Sequence, residues 1–105
     1  MDHSEKKRLS KSKRYLELVH KLPCCISGLS PVQAHHIRTG MGMSMKSPDW
    51  HCLPLHEIYH TGREGIHTLG TKAWQEKFGS ERELVKKTQE RLQDFIKIPE
   101  EFRIR

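Results

Sequence analysis

The stretch HCLPLHEIYHTGREGIH, residues His51–His67, carries four of the chain's eight histidines and decides how the rest is read. Imidazole is the usual neutral nitrogen ligand for zinc-like metals and the usual general base near neutral pH. The spacing of these four therefore matters more than their number. The run WHCLPL that leads into the stretch reads as a short strand, and residues His56 to about Thr61 read as the start of a helix. His56 and His60 are four apart, which places them on one helical face. TGREG then interrupts the helix, making it short or kinked, and the glycine-bearing bend can fold His67 back toward His60.

Upstream, VQAHHI reads as a strand, and RTGMGMSMKSPD, with Gly40, Gly42 and Pro48, reads as an exposed loop. The two strands would then close a hairpin. Met41, Met43 and Met45 fit either a loop that touches substrate or a mobile loop with no role. From about Ser10 to Leu22, the apolar residues Tyr15, Leu18, Val19 and Leu22 fall at helical spacing, with Pro23 as the stop. PCCISGLSP reads as a tight turn between short extended pieces. Downstream, Thr71 is placed to cap a helix bearing Trp74 and Phe78, with Gly79 as its end. Ser80 and Glu83 form a capping box for a final helix whose apolar face runs Leu84, Val85, Thr88, Leu92, Phe95, Ile96, and which Pro99 ends. The order of helix, two strands and further helices predicts an α+β fold.

With 105 residues, of which 34% are hydrophobic, the chain reads as one small domain over residues 10–98, between a flexible basic tail at 1–9 and a C-terminal tail at 99–105. A core this thin often draws on a metal, a disulfide or a partner for stability. Three cysteines, two of them adjacent (Cys24 and Cys25), do not make a disulfide framework. No leading apolar run resembles a secretion signal and no segment is long enough to span a membrane, so a reducing, cytoplasmic setting is expected. The net charge of +6 suggests a polyanionic partner, although solvated surface lysines alone give the same balance. Placement says more: Lys6, Lys7, Arg8, Lys11, Lys13 and Arg14 crowd the N-terminal segment, a pattern suited to phosphate contacts that dock without reading sequence.

Adjacent residues on a strand point to opposite faces, so His35 and His36 do not both face one ion by side-chain direction alone. One histidine from the hairpin and two from the helical segment after it would make a three-nitrogen site with open positions. Open positions distinguish a catalytic metal from a closed structural one.

Four stretches, LPCCISG, VQAHHIRTGMGMSMKSPDW, CLPLHEIYHTGREGIH and AWQEKFGSERELV, lie in the order seen in the HNH (ββα-metal, His-Me finger) nucleases, which the chain resembles over roughly Leu22 to Val85. The finer pattern is most similar to the phage recombination-enhancement (Ref-like) nucleases and related prophage HNH proteins. That resemblance implies His35, His60 and His67 as ligands of one divalent cation, and His36 as the base that activates water. His51 would occupy the middle position of the motif, often asparagine, and help hold the base. Zinc, nickel, cobalt or manganese suit three imidazoles, magnesium less so. The implied reaction is endonucleolytic cleavage of DNA leaving a 5′-phosphate and a 3′-hydroxyl, in a bacterial cell, possible partners including DNA held in a RecA filament.

Relatives often add a zinc on two cysteine knuckles; the corresponding positions here are Cys24, Ser27, His56 and Tyr59. We read a knuckle that keeps its shape through packing, with a zinc on Cys24, Cys25 and His56 as the alternative. Lys11, Arg14, Arg38 and Lys46 are candidate phosphate contacts, and Asp49 and Trp50 candidate loop anchors. The rival functions are a non-catalytic, zinc-stabilised nucleic-acid-binding module, in which the histidines only tie hairpin to helix, and a structural or partner-binding protein.

Overall fold

A computed structural model describes residues 3–37 and 47–105, with side chains from residue 11 onward. Arg38, Lys46 and the methionines at 41, 43 and 45 lie outside the described residues. Helix α1 spans His3–His20, strand β1 Gln33–His36 and strand β2 Cys52–Leu55; helices α2 (Glu57–His60), α3 (Ile66–Leu69), α4 (Thr71–Phe78) and α5 (Glu81–Leu92) follow. The architecture is α+β, as the sequence predicts. Among the described residues, no helix is long and apolar enough to cross a membrane.

The strands pair antiparallel, with Gln33 opposite Leu55, Ala34 opposite Pro54, His35 opposite Leu53 and His36 opposite Cys52. Because side chains alternate along a strand, this register puts Gln33, His35, Leu53 and Leu55 on one face and Ala34, His36, Cys52 and Pro54 on the other. All of β2 is buried, since both of its faces are covered. Leu53 and Leu55 pack with Ile66, Trp74, Leu84 and Val85 of the later helices. On the opposite side, Tyr15 and Val19 of α1 pack with Trp50, Leu92 and Ile98, and Ala34 leans against that second cluster. The hairpin is thus the shared wall of two small cores.

Several element boundaries differ from expectation. Helix α1 begins at His3 rather than near Ser10. Trp50 and His51 belong to a 3-10 turn over Asp49–His51, not to the second strand, because the chain turns there to drop Trp50 into the second core. Gly70, not Thr71, occupies the N-cap of α4, while Gly79 (φ 108°) ends it. Ser80 does cap α5, accepting the Glu83 N–H at 3.0 Å. That helix stops at Leu92, well short of Pro99, and Phe95, expected on its apolar face, is 73% exposed. The residues set apart as a C-terminal tail instead enter the core. Ile98 and Ile104 are buried, and the Gln89 side chain donates to the carbonyls of Trp50 (2.9 Å) and Phe102 (3.0 Å) while accepting the Ile104 N–H (2.8 Å). The buried Gln89 amide thus satisfies three backbone groups and ties residues near the C-terminus to the turn before β2.

Candidate metal centre

Three elements meet on the helical side of the hairpin. His35 arrives from β1, on the face that carries Leu53 and Leu55 across the register. His60 ends the single turn of α2, whose start is held by the His56 ring accepting the Ile58 N–H at 3.2 Å. His67 comes from α3, after the TGREG bend. The bend closes because Gly62 and Glu64 donate back to the carbonyls of Glu57 (2.8 Å) and Ile58 (3.0 Å). The Thr68 hydroxyl ties α3 to the carbonyl of Gly62 at 2.8 Å. Gly65 permits the close pass: a Cβ there would sit 2.5 Å from the His60 carbonyl oxygen.

The result is a triangle of imidazoles. Ring centroids are 5.1 Å apart for His35 and His60, 5.4 Å for His35 and His67, and 4.7 Å for His60 and His67. One nitrogen from each lies within 4.8 Å of the others, and the Nε2 atoms of His60 and His67 are 3.1 Å apart. Two nitrogens on one zinc-sized ion, with bonds of about 2.0–2.1 Å at a tetrahedral angle, stand about 3.3 Å apart. The donor set therefore fits a borderline divalent cation that favours nitrogen. Burial is graded from buried His35 through half-buried His60 to exposed His67, so the site is open on one side.

Hydrogen bonds behind the rings orient two of them. His35 Nε2 lies 2.7 Å from Oε2 of Glu81, both side chains buried, and His60 Nδ1 lies 2.5 Å from Oε1 of Gln33. Burial, with His35 and His67 adding like charge, pushes the His60 pKa down from 6.5 to about 4. Its ring is neutral at pH 7, as ligation requires.

The remaining candidates are dispersed. His36, next to His35, points to the other face of β1, where its Nε2 lies 2.9 Å from Oδ1 of Asp49; Ser12 of α1 donates to the second Asp49 oxygen at 3.1 Å. Asp49 is thus more than a loop anchor, since it holds the His36 ring. His51, expected to hold the base, instead donates from Nε2 to the Phe102 carbonyl at 2.7 Å and rests edge-on against the Phe102 ring. Its place in the 3-10 turn before β2 aims it at the chain end. Lys11 and Arg14 are exposed on α1, Arg14 3.4 Å from Glu17.

Cys24, Cys25 and His56 do not converge as a ligand set; among the described residues the converging trio is His35, His60 and His67. Burial raises the Cys24 pKa, but the His56 N–H, the Ser27 hydroxyl and the N–H groups of Ser27 and Ile26 outweigh it and the net shift is downward. Cys25 instead is pushed up to about 12, by burial and by neighbouring Cys24. Hydrogen-bond donors thus surround the Cys24 sulfur, while Cys25 packs against the first core. Sequence reading missed Glu81 and Gln33. Gln33 could have been found from its period-two relation to His35, whereas Glu81 lies 46 residues away in the chain and no local spacing links the two.

Residues 3–94 match a family model described as "Protein of unknown function (DUF968)". No curated protein and no solved structure matches the chain.

Proposed function

Since the chain belongs to the DUF968 family, whose description assigns no activity, function has to be argued from the site, and we propose a metal-dependent DNA endonuclease of the ββα-metal (HNH) type. The observation that carries this reading is the convergence of His35, His60 and His67 from β1, α2 and α3 on a point open to solvent. Strand, strand and helix follow one another in the order of the HNH motif, which supports the resemblance. His35, His60 and His67 would hold the cation; when bound it supplies charge stabilisation on the phosphorane and on the departing oxygen.

His36 is the general base. Its Nε2–H donates to Asp49, which leaves Nδ1 to take a proton from water. The resulting hydroxide attacks phosphorus, the bond to the 3′ oxygen breaks and that oxygen takes a proton from solvent water, giving a 5′-phosphate and a 3′-hydroxyl. Exposed Lys11 and Arg14 add nonspecific affinity for the DNA backbone.

The test incubates purified protein with supercoiled plasmid, single-stranded DNA and RecA-coated single strands, each with zinc, nickel, cobalt, manganese or magnesium and with EDTA. Cleavage should require a cation, and His36→Ala should abolish it while metal stays bound. Cleavage equal in the His36→Ala protein, or none above the EDTA control, sinks the nuclease reading. One observation favours a second reading, a metal-stabilised nucleic-acid-binding module: His36 and His35 face opposite sides of β1, and His36 is engaged with Asp49. In that case DNA is retarded in a salt-dependent way and never cut.

A further inference from the structure

The nuclease reading leaves Glu81 without a role. This first residue of α5 is wholly buried, and its Oε2 lies 2.7 Å from His35 Nε2. A carboxylate is seldom buried to this extent unless it is paired, because desolvating it is costly. Its place in the first turn of α5, the positive end of that helix, offsets part of that cost, and the Glu81 N–H is satisfied by Gln75 Oε1 at 2.8 Å. Glu81 is not in the converging ligand set, and its contact with that set is through His35 Nε2. An ionised Glu81 is an acceptor only, so beside it His35 Nε2 would carry the proton and Nδ1 would keep the lone pair. Gln33 acts in the same way on the opposite ring: its carbonyl oxygen takes the Nδ1–H of His60 and leaves Nε2, the atom 3.1 Å from His67 Nε2, as the donor to metal.

We propose that Glu81 is an outer-sphere positioning residue of the metal centre, which fixes the His35 tautomer and ring plane and sets a buried negative charge behind a bound dication. The role rests on the metal reading of the three histidines but not on nuclease activity. Groups of this kind typically account for ten- to a hundredfold in metal affinity.

The experiment titrates metal-free wild-type, Glu81→Gln and Glu81→Asp proteins with cobalt and zinc. Calorimetry gives the affinity, the visible cobalt bands give the ligand set, and circular dichroism shows that each variant is folded. Glu81→Gln should bind about ten- to a hundredfold more weakly with unchanged bands. Glu81→Asp, which keeps the charge, should recover most of the affinity. In wild-type protein, nitrogen NMR of the His35 ring should show the Nε2–H form, with a mixture in Glu81→Gln; this needs no variant to fold. Equal affinities, altered cobalt bands that make Glu81 itself a ligand, or an Nδ1–H His35 in the wild type each overturn the role. A wild-type protein that binds no metal removes the centre and this role together. One that binds metal but cuts no DNA removes the nuclease reading alone.

Discussion

His60 shows how one residue can tie folding to the site. Burial and the neighbouring His35 and His67 hold its pKa near 4, against 6.5 for an ordinary histidine. Above pH 6.5 the folded and unfolded chains both keep this ring neutral. Between pH 6.5 and about 4 the unfolded chain takes up a proton that the folded chain refuses, so stability falls as the pH drops through that window. We expect the urea midpoint of metal-free protein to decline between pH 7 and pH 4.5, and the decline to be shallower in His60→Gln. An identical slope in the variant would show that His60 contributes no such linkage. The side chain is only half buried, so solvent screening keeps the effect well below what the full shift would imply.

At the scale of elements, the site depends on a bend and not on a helix. α2 is one turn long, and His67 reaches His60 only because the chain doubles back across Gly65, where a Cβ would lie 2.5 Å from a backbone oxygen. Neither partner in that contact is a flexible side-chain tip, so Gly65→Ala must displace α3. The expected cost is about 1–3 kcal/mol of stability, with metal affinity falling further than stability because ligation needs all three nitrogens in register. Thermal melting and cobalt titration of the variant check both parts; unchanged cobalt affinity would mean that His67 is not held by this bend. The bend was legible in TGREG, whereas the early end of α5 at Leu92 was not. Periodicity carries no stop signal when apolar residues continue beyond the point where the chain turns away to deliver Ile98 and Ile104 to the core.

Across the whole molecule, two small cores share one two-stranded wall, so stability rests on a few cross-links. Gln89 joins the turn before β2 to the chain end through Trp50, Phe102 and Ile104. Replacing it with leucine leaves the Trp50 carbonyl and the Ile104 N–H buried without this partner. At about 1–3 kcal/mol for each, the melting temperature should fall by roughly 10 °C or more. A fall of only a degree or two would show that the chain end contributes little. Metal acts in the other direction: cation at a hundredfold above its dissociation constant should add about 2.7 kcal/mol. EDTA should reverse that gain and His60→Ala should abolish it, both read from the melting curve.

The sequence by itself determined the α+β order, the hairpin and the bend between His60 and His67, because these follow from local periodicity and from the glycines of one short stretch. The trio His35, His60 and His67 was implied by the family resemblance and is brought together in the structure. Only the tertiary structure decided which face each neighbouring histidine takes and what stands behind it. The strand register sends His36 to Asp49, the turn at Asp49–His51 sends His51 to the chain end, and the packing of α5 brings Glu81 to His35. Contacts made across such distances in the chain depend on how the cores are filled, and no local spacing encodes that.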